Sequence, residues 1–278
     1  MDNDDEIVGR VLGRRQALAI LGMSGVALTV AGSAGAAVAG AAPAGAGAAP
    51  VDCVDCVVKP EMTEGPYFVD EGLNRSDIRS DPSDGSISEG TTLALGLRVL
   101  QIDGDGRCTP LRDAVVDLWH CDALGVYSDV AQEGTTGRKF LRGYQVSDRG
   151  GRVRFTTILP GWYRGRTVHF HIKIQTTGTD GNPYEFTSQL YFTEEFKAEY
   201  LTAEPYASKG TPDTTNAADG IYAGGGAGDQ MLLRPTRRGR GYKAEFAIGL
   251  DLSDTAVGAD DGMTGPPPGG PPPTDPPA

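Results

Sequence analysis

Thr167-Val-His-Phe-His-Ile-Lys-Ile174 alternates without a break. Val168, Phe170, Ile172 and Ile174 fall on one side, and Thr167, His169, His171 and Lys173 on the other. That period of two is the signature of a β-strand, and it puts both imidazoles on one face. Working outward, strands are expected at Arg152–Ile158, closed by Pro160-Gly161, and at Ser188–Phe192. Further out they are expected at Asp113–Trp119, Thr92–Ile102 and Tyr242–Leu250, with Asp103-Gly-Asp-Gly106 as a turn and one short helix over Glu194–Leu201. Short strands at this spacing, separated by Gly and Pro turns, predict an all-β sandwich or barrel. No G-x-G-x-x-G, P-loop or H-E-x-x-H is present.

The 278 residues include 40 glycines and 19 prolines, a surplus that argues against a mostly helical fold. Much of it sits at the ends. Residues 16 to 51 carry no charge and follow Arg14-Arg15. The weakly apolar run after them has small-residue cleavage candidates near Ala34 and Ala36. Residues 1–37 are therefore expected to be a twin-arginine-like export signal of a bacterium, and 38–51 an Ala/Gly/Pro spacer. An N-terminal membrane anchor is the competing reading, but the Gly-rich stretch is a weak match to a membrane span. Residues 52–254 are the expected folded domain, and 255–278 a Pro/Gly-rich tail. No stable membrane span is expected after signal removal. The formal charge of −12 argues against binding a nucleic-acid backbone.

Cys53, Cys56, Cys108 and Cys121 allow three pairings. An exported protein meets an oxidising compartment, so structural disulfides are expected. Cys53-x-x-Cys56 is also the spacing of a redox dithiol or of half a zinc site, but no second C-x-x-C accompanies it. Cys108 and Cys121 flank the Asp113–Trp119 strand and are a candidate pair across it.

His120, His169 and His171 are the only histidines. Two imidazoles on one strand face can share a metal ion, although H-x-H alone is equally read as two hydrogen-bonded histidines. No carboxylate lies between Phe155 and Lys173; the polar groups there include Tyr163 and Arg166. Tyr127 follows the Asp113–Trp119 strand. Phenolate and imidazole together suit a hard trivalent metal such as ferric iron, while a single tyrosine is commonly a packing residue.

Six strings then resemble the intradiol ring-cleavage dioxygenases of the catechol and protocatechuate type. They are Met62-Thr-Glu-Gly-Pro-Tyr-Phe68, Leu73-Asn-Arg-Ser-Asp-Ile-Arg79, Asp117-Leu-Trp-His-Cys-Asp-Ala-Leu-Gly-Val-Tyr-Ser128, Phe155-Thr-Thr-Ile-Leu-Pro-Gly-Trp-Tyr163, Arg166-Thr-Val-His-Phe-His171 and Thr187-Ser-Gln-Leu-Tyr-Phe192. The resemblance implies an antiparallel β-sandwich core with long loops carrying a metal site. It implies one non-haem Fe(III) per subunit held by Tyr127, Tyr163, His169 and His171. Tyr127 and His169 are then equatorial, and Tyr163 and His171 axial. Arg166 matches the family's active-site arginine, Gln189 the glutamine beside the open face, and Tyr67 a tyrosine that approaches the substrate pocket. His120 is left a supporting role. The implied reaction is ortho cleavage of a small aromatic diol by O2 to a cis,cis-muconate-type product.

The sequence departs from its relatives in three ways. Only six positions separate Tyr163 from His169, no counterpart of the helical N-terminal dimerisation domain of the catechol enzymes is expected, and the expected export signal is unlike the cytoplasmic members. A homo-oligomer remains among the expected assemblies. Competing functions are an exported β-sandwich binding module, or a non-redox zinc or copper protein using the histidine pair; colour separates them from a ferric tyrosinate protein.

Overall fold

The computed structural model describes residues 56–224 and 227–256. The expected export signal, the spacer, Cys53 and nearly all of the tail lie outside the described residues. Two sheets face each other. The first contains β1 (Thr92–Ile102), β2 (Cys108–Pro110), β5 (Arg152–Ile158), β8 (Thr236–Arg238) and β9 (Gly241–Leu250), with β2 and β5 along one edge of β1 and β9 along the other. The second runs β4 (Arg142–Val146), β3 (Val115–Trp119), β6 (His169–Thr177), β7 (Pro183–Tyr191), all antiparallel. β1 and β9 pair in parallel, the exception in an otherwise antiparallel pattern. One helix, α1 (Glu194–Tyr200), begins at a Thr193 side-chain cap.

The period-two pattern is what builds the core. Leu93, Leu95, Leu97 and Val99 of β1 join Val153 and Phe155 of β5, and Ala244 and Ile248 of β9. From the second sheet come Val116, Leu118, Phe170, Ile172, Ile174, Phe186 and Leu190. Each buried side chain of this size contributes about 1.5–3 kcal/mol of hydrophobic stabilisation. The second face of β6 is buried too: His169, His171 and Lys173 are at most 5% exposed. Loops roof that face, and a smaller cluster of Trp119, Cys121, Tyr127 and Val130 fills the space beneath them, with Tyr67, Phe68 and Tyr163 packed against it.

The expected β1 and β5 have the bounds the alternation gives, and β9 and α1 differ by one residue at an end. β6 starts two residues late and runs on to Thr177, while β7 begins at Pro183 rather than Ser188. β2, β4 and β8 carry no alternating pattern and were not expected. The cysteine pairing is a correction. Cys56 bonds Cys108, and Cys121 is a free, buried thiol, so the expected Cys108–Cys121 pair does not form. Cys121 lies at the inner end of β3, under the loops, where it contacts the Gly161 carbonyl rather than β2. Among the described residues no helix is long and apolar enough to cross a membrane.

Candidate metal centre

Strand register assembles the floor of the site. His171 stands opposite Trp119 on β3 and Gln189 on β7, and His169 opposite Tyr191. Directly opposed residues share a face, so these five side chains form one surface. The Trp119 ring stacks on His171 with centroids 4.9 Å apart and planes 9° from parallel. Gly65 also lies against that imidazole. A Cβ there would come within 3.3 Å of His171 Cε1, and its φ of 73° suits glycine.

Tautomer follows from geometry at His169. Its Nδ1 lies 2.6 Å from the Thr167 carbonyl, which can only accept, so Nδ1 carries the proton. The Nε2 lone pair therefore faces inward, 3.0 Å from His171 Nε2 and 3.2 Å from the Tyr163 hydroxyl. Tyr163 rides on a loop anchored from below. Tyr206 donates to the Leu159 carbonyl and Tyr200 to the Pro160 carbonyl, both at 2.7 Å, and Gly161 N donates to Asp122 O at 2.9 Å. Tyr127 sits on the loop after β3, where the Asp122 carboxylate takes the amides of Leu124 and Val126 and Glu133 takes the amide of Tyr127. The Tyr127 and Tyr163 ring centroids are 5.7 Å apart. Tyr67 stacks on Tyr127 at 4.5 Å and meets Tyr163 edge-on at 6.1 Å.

Four expected ligands and Tyr67 thus come together on one face. Arg166 and Gln189 are there as well. Arg166 is 7% exposed; its Nε donates to Asp219 at 2.8 Å and its Nη2 to Gln189 Oε1 at 2.5 Å. Gln189 also accepts from the Tyr191 hydroxyl at 2.9 Å and donates to Thr63 O at 3.0 Å. His120 stands apart, with Nδ1 on the Cys121 carbonyl at 2.8 Å and Nε2 on Thr157 Oγ1 at 2.6 Å, which ties β3 to β5. Burial pushes it down to about 3, so it stays neutral.

Three contributors carry no short-range signal. Asp219, fully buried, lies 53 residues from its partner Arg166. Arg142 is buried at the end of β4 and bridges two loops, donating to Ser128 O at 2.6 Å and to Tyr67 O at 2.7 Å. Trp119 is recognisable as apolar, but its stacking role depends on the β3–β6 register.

Electrostatics fit this donor set to a cation. Burial drives His169 and His171 well below their ordinary pKa, so both offer neutral nitrogen. Burial likewise pushes the Tyr127 and Tyr163 phenols up. The Tyr127 hydroxyl and His171 Nδ1 are buried without a hydrogen-bond partner. With Nε2 of His169 a lone pair, either tautomer of His171 leaves a buried nitrogen unsatisfied, and such a group costs about 1–3 kcal/mol. The two Nε2 atoms and the two phenol oxygens would hold a metal ion through their lone pairs, and its charge would offset the cost of ionising the phenols. Among the described residues no three His, Cys, Asp or Glu side chains gather into a metal site, so a centre here would need its oxygen donors from tyrosine. Hard phenolate oxygen with imidazole suits ferric iron.

The chain is similar to known proteins in sequence and in fold. A family described as Dioxygenase matches residues 63–209. Catechol 1,2-dioxygenase of Acinetobacter baylyi is 28% identical over 163 residues, covering 49% of this chain and 51% of that protein. The chain spans about half the length of the first curated relatives it matches. An intradiol ring-cleavage dioxygenase from Tetranychus urticae superposes with a TM-score of 0.61 at 27% identity, covering 72% of this chain and 96% of that one. The dioxygenase domain of a dioxygenase–carbohydrate-binding fusion from Streptomyces sp. SirexAA-E does so with a TM-score of 0.50 at 27% identity, covering 70% and 99%. A family that is generally Fe(III)-dependent fits a donor set of two tyrosines and two histidines. By its sequence match and its fold, this chain belongs to the intradiol ring-cleavage dioxygenases.

Proposed function

We propose that the chain is a non-haem Fe(III)-dependent dioxygenase that cleaves a catechol-type aromatic between its hydroxyls with O2, giving a cis,cis-muconate-type product. The observation that carries this reading is the convergence of Tyr127, Tyr163, His169 and His171 on one buried point. These four would hold one iron per subunit. Bound there, ferric iron supplies Lewis acidity that makes the doubly ionised diol accessible near neutral pH.

The chain's own groups do the rest. Burial holds the Tyr163 phenol above its ordinary pKa, so its oxygen, when ionised, would be a strong acceptor for a proton of the bound diol. Arg166 places positive charge where negative charge develops on the substrate, in a site the loops screen from water. Burial works against that charge, yet the Tyr163 and Asp219 oxygens keep the guanidinium pKa above its usual value. Gln189 holds Arg166 and borders the substrate, and the half-buried Tyr67 ring forms a wall of the pocket. The Cys56–Cys108 disulfide supports an exported protein, delivered by the twin-arginine signal, since such bonds persist in oxidising compartments.

Ferric-loaded protein should be deeply coloured from tyrosinate-to-iron charge transfer. It should consume O2 with one or more members of a panel of catechol, hydroxylated benzoates and hydroxyquinol, with both oxygen atoms in an ortho-cleaved product by mass. A colourless protein that holds stoichiometric zinc after loading with either metal, and takes up no O2, defeats the reading.

A further inference from the structure

Asp219 lies beyond residue 209, where the match to the family ends, and its carboxylate is fully buried. Its Oδ2 accepts from Arg166 Nε and from Thr167 N, both at 2.8 Å. Its Oδ1 accepts from Ile221 N at 2.9 Å and Tyr222 N at 3.0 Å, capping the helical turn α2 (Gly220–Ala223). One oxygen therefore fixes two adjacent residues, and both act on the site. With Nε on Asp219 and Nη2 on Gln189, the guanidinium plane of Arg166 is set. Thr167, held by its amide, presents the carbonyl that takes His169 Nδ1 at 2.6 Å.

We propose that Asp219 is the positioning residue of this centre: through Oδ2 it aims Arg166 at the substrate and fixes the ring of His169 through the Thr167 backbone. The proposal rests on the iron-binding reading above. Mere stability is a poor reason for such a pair, because a buried ion pair is often no more stabilising than apolar groups of the same volume. Positioning is the stronger reason. A guanidinium held at two nitrogens offers a pre-aimed donor, and a ligand imidazole held at Nδ1 presents Nε2 in one direction.

Asp219→Asn and Asp219→Ser test it, both compared as iron-loaded full chains with the parent protein. Asn and Ser both cap helices well, so α2 keeps its start. Neither retains a charged oxygen that can serve Arg166 and Thr167 together. Turnover should fall roughly 10- to 100-fold and iron should be lost more readily to a chelator, as is typical when a ligand's outer partner is removed. The charge-transfer band should shift, and because the buried guanidinium loses its counter-charge the melting temperature should fall as well, so turnover and iron retention are read per folded molecule. In the background of Arg166→Gln, Asp219→Asn should add only a small further loss of turnover, because its main route to the reaction is already gone. Variants with parental band position, iron retention and turnover overturn the proposal, as does a lowered melting temperature with turnover per folded molecule unchanged. Losses that multiply fully in the double variant also count against it. If the parent protein itself lacks the band and turns over no catechol, the iron reading fails, and the proposal with it.

Discussion

Burial pushes the phenols of Tyr127 and Tyr163 above their ordinary range and the imidazoles of His169 and His171 below theirs, so without a cation all four are neutral near pH 7. A trivalent ion held there would ionise the tyrosines and leave the histidines neutral. Tyr163 is the less enclosed of the two, half-buried where Tyr127 is fully buried beneath the stacked Tyr67 ring. Tyr163→Phe should therefore keep iron on the three remaining donors, lose much of the visible band, and drop turnover about 100- to 10,000-fold, the range for a positioned proton-transfer group. An unchanged absorption spectrum on ferric loading removes Tyr163 from the ligand set. The histidines were readable from the sequence because two residues apart on a strand means one face. The tyrosines were not readable that way. Their rings are commonly packing groups and loop positions define no shared face, so they were candidates until the resemblance assigned them as ligands.

The loop from Leu159 to Tyr163 owes its shape to contacts from three separate segments: the hydroxyls of Tyr200 and Tyr206 and the carbonyl of Asp122. Gly161 passes so close to the Asp122–Ala123 backbone that a Cβ would run into the Ala123 carbonyl. Gly161→Ala should cost about 1–3 kcal/mol, the usual range for overpacking a tight site. It should also displace Tyr163, so a lower melting temperature comes with a shifted charge-transfer band. A band that stays put while stability falls separates the loop's packing from the placement of the tyrosine. Among the strands, β1, β5 and β9 were legible because each alternates over seven or more residues. β4 was not. Arg142-Gly-Tyr-Gln-Val146 shows no period, and its Gly143 is required by the nearby Ile78 and Arg75 side chains, which come from elsewhere in the chain. β2 and β8 are three residues each, too short for a period to register.

The arm that starts at Cys56 crosses both sheets before it reaches the site. Lys59 N donates to Gly249 O at 2.9 Å and Met62 N to Thr187 O at 2.8 Å, and the Thr63 carbonyl receives Gln189 at 3.0 Å. The disulfide to Cys108 closes a separation of 52 residues and ties this arm to β2. By chain entropy such a link is worth about 4 kcal/mol, and measured values are typically 2–4 kcal/mol. Reduction should lower stability by that order in thermal or denaturant unfolding, and turnover should fall at temperatures where the arm detaches. An identical unfolding curve with and without reductant shows that the arm's own hydrogen bonds are enough to hold it. The sequence alone determined the β character, the strand that carries the histidines and the shared face of that pair, because these depend on residues two positions apart. Tertiary structure decided which cysteines pair, how two loop tyrosines reach the histidines, and that Asp219 holds Arg166. Those contacts join segments tens of residues apart, and burial sets the charge of the groups they bring together; neither long-range closure nor burial has a local pattern to read.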